Sequence, residues 1–220
     1  MSEEKHDGRL IIISGPSGAG KTALTGYALR TLPGVKFSIS YTTRAPRGFE
    51  REGVEYFFTD RLKFESLVKA GEFLEWAEVH GNYYGTSRSF IDGFLRQGDD
   101  VILDIDVQGA RVVKKARPDI ISVFVLPPSY EELRERLLRR GQDAPGIIEK
   151  RLKIAHGEVS NYKDYDYLII NGDLEKAERE FAAIISCERC RNNVRRDAAA
   201  SILKQFEEII DVQNTRQHRI

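Results

Sequence analysis

Unbroken apolar runs recur along the chain, separated by stretches whose apolar residues fall at helical spacing. Leu10-Ile11-Ile12-Ile13 is the first such run, Val101-Ile102-Leu103 and Val123-Phe124-Val125 follow, and Leu168-Ile169-Ile170 is the last. A run without polar alternation suits a strand covered on both faces, as in a parallel sheet flanked by helices. Strands are expected over 10–14, 36–40, 101–105, 121–125 and 166–170, and helices over 21–31, 107–117, 129–140, 147–160 and 174–190. In the last of these helices Leu174, Ala177, Phe181, Ile184 and Ile185 share one face. Strand and helix in alternation predict an α/β domain built on a mainly parallel sheet.

Three stretches break this rhythm. Residues 41–90 are rich in aromatics and charges, with strand-like segments at Tyr56-Phe57-Phe58 and 72–79 around a short helix near 60–70. They read as a lobe inserted between core elements. Gly141-Gln142-Asp143-Ala144-Pro145-Gly146 separates two arginine-rich helices, and its glycines and proline predict a mobile connection. Beyond Asn192-Asn193, the residues Ile202, Leu203, Phe206, Ile209 and Ile210 form the stripe of an amphipathic helix, expected to pack on this chain or on a second copy.

Composition adds limits. A chain of 220 residues, 41% hydrophobic and 31% charged, has the make-up of an ordinary globular domain with a substantial core. Its 34 basic residues balance 34 acidic ones, so no overall field draws it to nucleic acid or to a membrane surface. An anion site must therefore arise from local clustering. No apolar stretch is long enough to span a bilayer and the first residues are polar, which predicts a cytoplasmic protein. Cys187 and Cys190 lack a second ligand pair for zinc and a thioredoxin-like setting, and read as reduced thiols.

The candidate chemistry begins where the first apolar run ends. Gly15-Pro16-Ser17-Gly18-Ala19-Gly20-Lys21-Thr22 is a G-x-x-x-x-G-K-[ST] loop between an expected strand and an expected helix. Its glycines let backbone N–H groups turn inward around phosphate oxygens, and the helix N-terminus adds partial positive charge. Lys21 is placed to reach the β- and γ-phosphates of a nucleoside triphosphate, and the Thr22 hydroxyl to ligate Mg²⁺. Val101-Ile102-Leu103-Asp104 is an apolar strand ending in an acid, the form of a Walker-B element near the same Mg²⁺. Asp106-Val107-Gln108-Gly109 also fits the D-x-x-G of small GTPases, but no Asn-Lys-x-Asp accompanies it: Asn161-Tyr162-Lys163-Asp164 has the wrong order.

Four stretches in register resemble the guanylate kinase family over about residues 8–190: residues 15–22; Ser38-Ile39-Ser40-Tyr41-Thr42-Thr43-Arg44-Ala45-Pro46-Arg47; Glu75-Trp76-Ala77 with Gly81-Asn82-Tyr83-Tyr84-Gly85; and Ile102-Leu103-Asp104-Ile105-Asp106-Val107-Gln108-Gly109. The resemblance implies a P-loop NTPase fold over 8–191, with 41–90 as the GMP-binding lobe, about 140–155 as a lid, and 192–220 as a helical extension outside the likeness. It implies transfer of the γ-phosphoryl of ATP to GMP or dGMP. Arg44, Arg47, Tyr56 and Tyr84 match positions that hold the GMP phosphate, and Ser40, Glu75, Thr86 and Asp106 match positions around the guanine. Arg136, Arg140 and Arg151 match arginines that close on the transferring group, and Asn171 matches a position beside the adenine. Phe49 stands where glycine is usual, Thr86 where some members have serine, and Ala144-Pro145-Gly146 where the lid helix usually opens on acids.

The residues suit that reaction. A phosphate monoester has a second pKa of ~6, so the acceptor is already anionic near neutrality and needs no general base. His6, His80, His156 and His218 accordingly need no catalytic role. The obstacle is the mutual repulsion of two phosphates, which Lys21, Mg²⁺ and the arginines would offset. Guanylate-kinase-like scaffold modules, which bind phosphorylated partners without catalysis, typically have a degraded phosphate loop. Here Gly20-Lys21-Thr22 is intact.

Overall fold

The computed structural model describes residues 8–79, 81–139 and 145–217. In chain order the first elements are β1 (Leu10–Ser14), α1 (Lys21–Thr31), β2 (Val35–Phe37), β3 (Tyr41–Thr42), β4 (Phe57–Phe58), α2 (Arg61–Lys69), β5 (Phe73–Val79), β6 (Asn82–Ser87) and α3 (Arg88–Leu95). Then come β7 (Asp100–Asp104), α4 (Val107–Ala116), β8 (Ile121–Leu126), α5 (Tyr130–Arg139), α6 (Pro145–Val159), β9 (Tyr167–Ile170), α7 (Leu174–Glu188) and α8 (Asn192–Gln217).

The apolar runs assemble into a five-stranded sheet of order β2-β7-β1-β8-β9 in which every pairing is parallel. Successive residues of β1 point to opposite faces and join different cores, the reason the run has no polar member. Ile11 and Ile13 pack with Leu24 and Ala28 of α1 and with Phe181 and Ile185 of α7. Leu10 and Ile12 pack on the other face with Ile91 and Leu95 of α3, Ala110 and Val113 of α4, and Leu74 of β5. A third cluster, Leu133, Leu137, Ile148, Leu152 and Ala155, joins α5 to α6. Because β1 is flanked by β7 on one side and β8 on the other, its carboxyl end opens at the switch point where ligands of such sheets bind.

Residues 41–87 supply a second sheet of order β4-β3-β6-β5, with β6 antiparallel to both β3 and β5. Its core is aromatic: Phe64 stacks on Phe73 at 4.6 Å and Tyr41 lies 5.0 Å from Phe57. A Cβ on Gly85 would stand 2.9 Å from the ring of Phe64, so a bare backbone is needed where β6 crosses these rings.

The core strands and helices stand where the apolar pattern predicts them, with one difference. The strand expected over 36–40 is confined to Val35–Phe37. The Ser38 N–H still donates to the Ile102 carbonyl of β7 at 2.9 Å, but beyond it the chain leaves the core sheet, and the Ser40 carbonyl accepts from Phe57 N–H at 2.9 Å in the second one. The periodicity did not announce β3, β6 or α3. In α8, Ile202, Leu203, Phe206, Ile209 and Ile210 are 52–63% exposed, so the stripe faces solvent on this chain. Among the described residues no helix is long and apolar enough to cross a membrane.

Candidate active site

The loop after β1 is shaped by two backbone approaches. Gly15 has φ 141°, and a Cβ there would lie 2.2 Å from the Val125 carbonyl oxygen of β8. Gly20 has φ 102°, and a Cβ there would meet the Asn171 amide at 2.2 Å. Only glycine fits at either position. Asn171, at the end of β9, donates from its side-chain amide to the Ala19 carbonyl at 2.8 Å and so ties the loop to the far edge of the sheet. It is buried, and its own Oδ1 has no partner among the described residues. Its position is thus beneath the phosphate loop, in contact with the loop's backbone.

Helix α1 begins directly from this loop with no side-chain cap, whereas α2, α3, α4 and α7 are each capped by Asp60, Ser87, Asp106 and Asp173. Its first N–H groups and the positive end of its dipole are therefore left for an anion. Lys21 curls back over the loop, donating to the Gly15 carbonyl at 2.7 Å with its ammonium 3.8 Å from Asp104.

A cleft of about 330 Å³ opens above the loop. Gly15, Ser17, Gly18, Gly20, Lys21 and Thr22 line one side, and Asp104, Ile105, Asp106 and Glu158 the other. Asp104 ends β7, as its apolar run implied. Burial pushes its carboxyl up from the ordinary aspartate value, and Lys21 acts in the opposite direction. Burial also raises Glu158, which α6 brings into the cleft, with Lys21 again opposing and Asp106 adding to the rise. Sequence reasoning missed Glu158. Its one signal is its place seven residues after Arg151, two helical turns along α6.

The second sheet gathers a different set. Glu75 on β5 faces Thr86 on β6 across the antiparallel ladder, and the Thr86 hydroxyl donates to its carboxylate at 2.5 Å. Both are buried. Burial raises the Glu75 carboxyl, the Thr86 hydrogen bond opposes that, and Asp106 adds to it. A Cβ on Gly109 would stand 3.1 Å from Glu75 Oε2, so the first turn of α4 lies directly against this carboxylate. Asp106 caps that turn, its Oδ1 accepting from the N–H groups of Gln108 and Gly109. Ser40 is half-buried at the entry to β3.

Arg44 follows β3 and is buried, while Arg47 is exposed. The Arg44 guanidinium lies 5.3 Å from the centre of the Tyr56 ring, and Tyr56 meets Tyr84 edge-on at 6.0 Å. It donates to the Ala45 carbonyl at 2.8 Å and to Glu50 at 2.9 Å. Burial raises the Tyr56 phenol.

Two sequence-derived arginines stand outside the cleft lining. Arg136 on α5 is held by Glu132 at 2.7 Å and by the Asn171 carbonyl at 2.8 Å. Arg151 is half-buried on α6. Arg140, His6, His80 and His218 lie outside the described residues, as do 141–144 of the expected mobile connection.

A family model described as guanylate kinase matches residues 7–188. The guanylate kinase of Alkalilimnicola ehrlichii is 51% identical over 184 residues, covering 84% of this chain and 91% of that protein. That of Symbiobacterium thermophilum is 48% identical over 195 residues, covering 89% and 92%. Among solved structures, guanylate kinase from Anaplasma phagocytophilum superposes with a TM-score of 0.71 at 34% identity, covering 86% of this chain and 90% of the other.

Proposed function

The chain belongs to the guanylate kinase family and transfers the γ-phosphoryl group of ATP to GMP, and from this premise we propose which residues carry each part of the reaction. The observation that supports the assignment best is the placing of two unlike sites on either side of the first turn of α4. An uncapped helix end with Lys21 lies towards the cleft, and the buried pair Glu75–Thr86 lies against Gly109.

ATP phosphates lie on the backbone of residues 15–22, with Lys21 exchanging the Gly15 carbonyl for phosphate oxygens. Asn171 acts beside ATP by holding the Ala19 peptide in place. Thr22 and Asp104 are the ligands for Mg²⁺. One hydroxyl and one carboxylate, hard oxygen donors beside a phosphate site, suit an ion that is completed by substrate phosphate and water. Bound there, Mg²⁺ supplies charge neutralisation at the phosphates.

GMP lies on the second sheet, so that 41–90 forms the acceptor lobe and about 140–155 the lid of a kinase domain spanning 8–191. The Glu75 carboxylate accepts from guanine N1–H and the 2-amino group, with Ser40, Thr86 and Asp106 around the base. Adenine carries an acceptor at N1 and no 2-amino donor, leaving the buried carboxylate with the Thr86 hydroxyl but no donor from the base. Deoxyguanosine monophosphate presents the same base edge. Arg44, Arg47, Tyr56 and Tyr84 hold the acceptor phosphate. One of its oxygens attacks the γ-phosphorus in line as the bond to the β,γ-bridging oxygen breaks, giving GDP and ADP. Arg136, Arg140 and Arg151 offset the charge spread over the transferring group, Arg136 first leaving Glu132 and the Asn171 carbonyl.

The free thiols of Cys187 and Cys190 suit the cytoplasm, where ATP is at hand. The exposed stripe of α8, in the extension 192–220, is the contact for a homo-oligomer. ADP release from ATP and Mg²⁺, measured with GMP, dGMP, AMP, UMP and dTMP in turn, tests the base assignment. Turnover is expected with GMP and dGMP; comparable turnover with AMP would overturn the role of Glu75.

A further inference from the structure

Arg44 raises a charge question. It is 9% exposed, and an uncompensated guanidinium at that burial would be costly. Its compensation comes from within the same loop. Glu50 Oε1 accepts from Arg44 Nη2 at 2.9 Å, while Glu50 Oε2 accepts from the Arg47 N–H at 2.8 Å. The Glu50 N–H in turn donates to the Arg47 carbonyl at 3.0 Å, so the carboxylate is held by backbone rather than by packing. Phe49 beside it is 98% exposed and adds no packing to hold the carboxylate. Hydrogen bonding from Arg44 holds the Glu50 carboxyl below the usual range, so it is ionised at neutrality.

A carboxylate and a phosphate use the same N–H edges of a guanidinium. On the reading that Arg44 and Arg47 receive the acceptor phosphate, two positive charges and one negative charge face an incoming dianion. We propose that Glu50 is a built-in counter-ion of the acceptor-phosphate site, keeping Arg44 paired and ordered when GMP is absent and weakening the hold on the phosphate when it is present. The loop thereby trades affinity for a preformed arginine and for easier departure of GDP, whose α-phosphate lies on the same residues.

The proposal predicts an effect opposite in sign to structural damage. Glu50→Gln keeps shape and one acceptor but removes the charge. Calorimetry at low salt is expected to show GMP bound about fivefold tighter, the scale of one unit charge acting through partly solvated surroundings, with the gain shrinking as salt is added. Guanosine, which lacks the phosphate, should bind both proteins equally, and the KM for ATP should not move. Glu50→Ala should shift GMP affinity in the same direction. Weaker or unchanged GMP binding by Glu50→Gln, with an unchanged melting temperature, overturns the proposal. Arg44→Ala separates this from the underlying assignment: if it leaves GMP binding intact, Arg44 does not hold the phosphate at all.

Discussion

On the proposed assignment, the phosphate cleft and the aromatic lobe hold the two ends of one reaction with different materials. The cleft is made largely of main chain, a glycine loop seated against Val125 and Asn171 and an uncapped helix end, all continuous over residues 15–22. The lobe works through side chains delivered by two strands, β5 and β6, and by the segments flanking β3 and β4, with Glu75 and Thr86 paired only because β5 and β6 run antiparallel in that register. Phosphate is alike in every nucleotide, so fixed N–H groups suffice to bind it. A base is recognised by the position of individual donors and acceptors, which only side chains vary. The proposed assignment therefore gives generic binding to the core and discrimination to the inserted sheet.

The largest expected effect lies on the generic side. Lys21→Ala should lower kcat by roughly 10²–10³-fold, the scale for removing one preorganised positive contact at a developing charge. Its ammonium touches the Gly15 carbonyl and faces Asp104 at the cleft, not the apolar core, so circular dichroism should be unchanged. Near-normal turnover would remove the cleft from the chemistry and collapse the comparison.

On the discriminating side, Glu75→Gln swaps one acceptor for a donor. It should cost about 1–3 kcal/mol in guanine recognition, the range for a bidentate base contact, and narrow the preference for GMP over AMP. The KM for ATP should stay the same. An equal rise in both KM values would show that the two regions do not divide the work. The pH dependence sharpens this further. Burial raises the Glu75 carboxyl above its ordinary value of 4.5. The folded protein thus binds this proton more readily than the unfolded chain. The associated stability is fully present below the ordinary value and is lost as pH rises through the raised one. Recognition requires the ionised form, so on acidification guanosine binding should fall through the raised value just as this contribution to stability returns. Both trends should vanish in Glu75→Gln; guanosine binding by the wild type that is flat down to the ordinary glutamate range would contradict the assignment.

The smallest effect concerns a region that belongs to neither site. Truncation after Arg196 removes Ile202, Leu203, Phe206, Ile209 and Ile210, all exposed on this chain. The number of subunits in solution should fall while the kinetic constants for ATP and GMP hold. An unchanged number of subunits would show that the stripe joins no second copy.

The same division governs what could be read from the chain. Apolar periodicity placed the strands and helices of the core because burial on one face or both is written locally. The loop of residues 15–22 was legible for the same reason: strand, turn and helix are contiguous, and the glycines mark conformations no other residue adopts. The lobe offered little of this. Strand β6, with Tyr83, Tyr84 and Gly85 at its centre, has no apolar alternation, and it becomes a strand because β5 and β3 pair with it. Its site residues were legible only through resemblance to a family.

By itself, then, the sequence determined an α/β core, a phosphate loop at the end of its first strand and, through that likeness, a guanylate kinase. Tertiary structure decided the rest. It set Asn171 beneath Ala19, 152 positions away in the chain, brought Glu158 from α6 into the cleft, and pressed the first turn of α4 against Glu75. It also turned the stripe of α8 to solvent. The physical reason is that hydrophobic period and backbone conformation are properties of neighbouring residues, whereas a hydrogen bond, an ion pair or a desolvated carboxylate depends on groups that only the folded chain brings together.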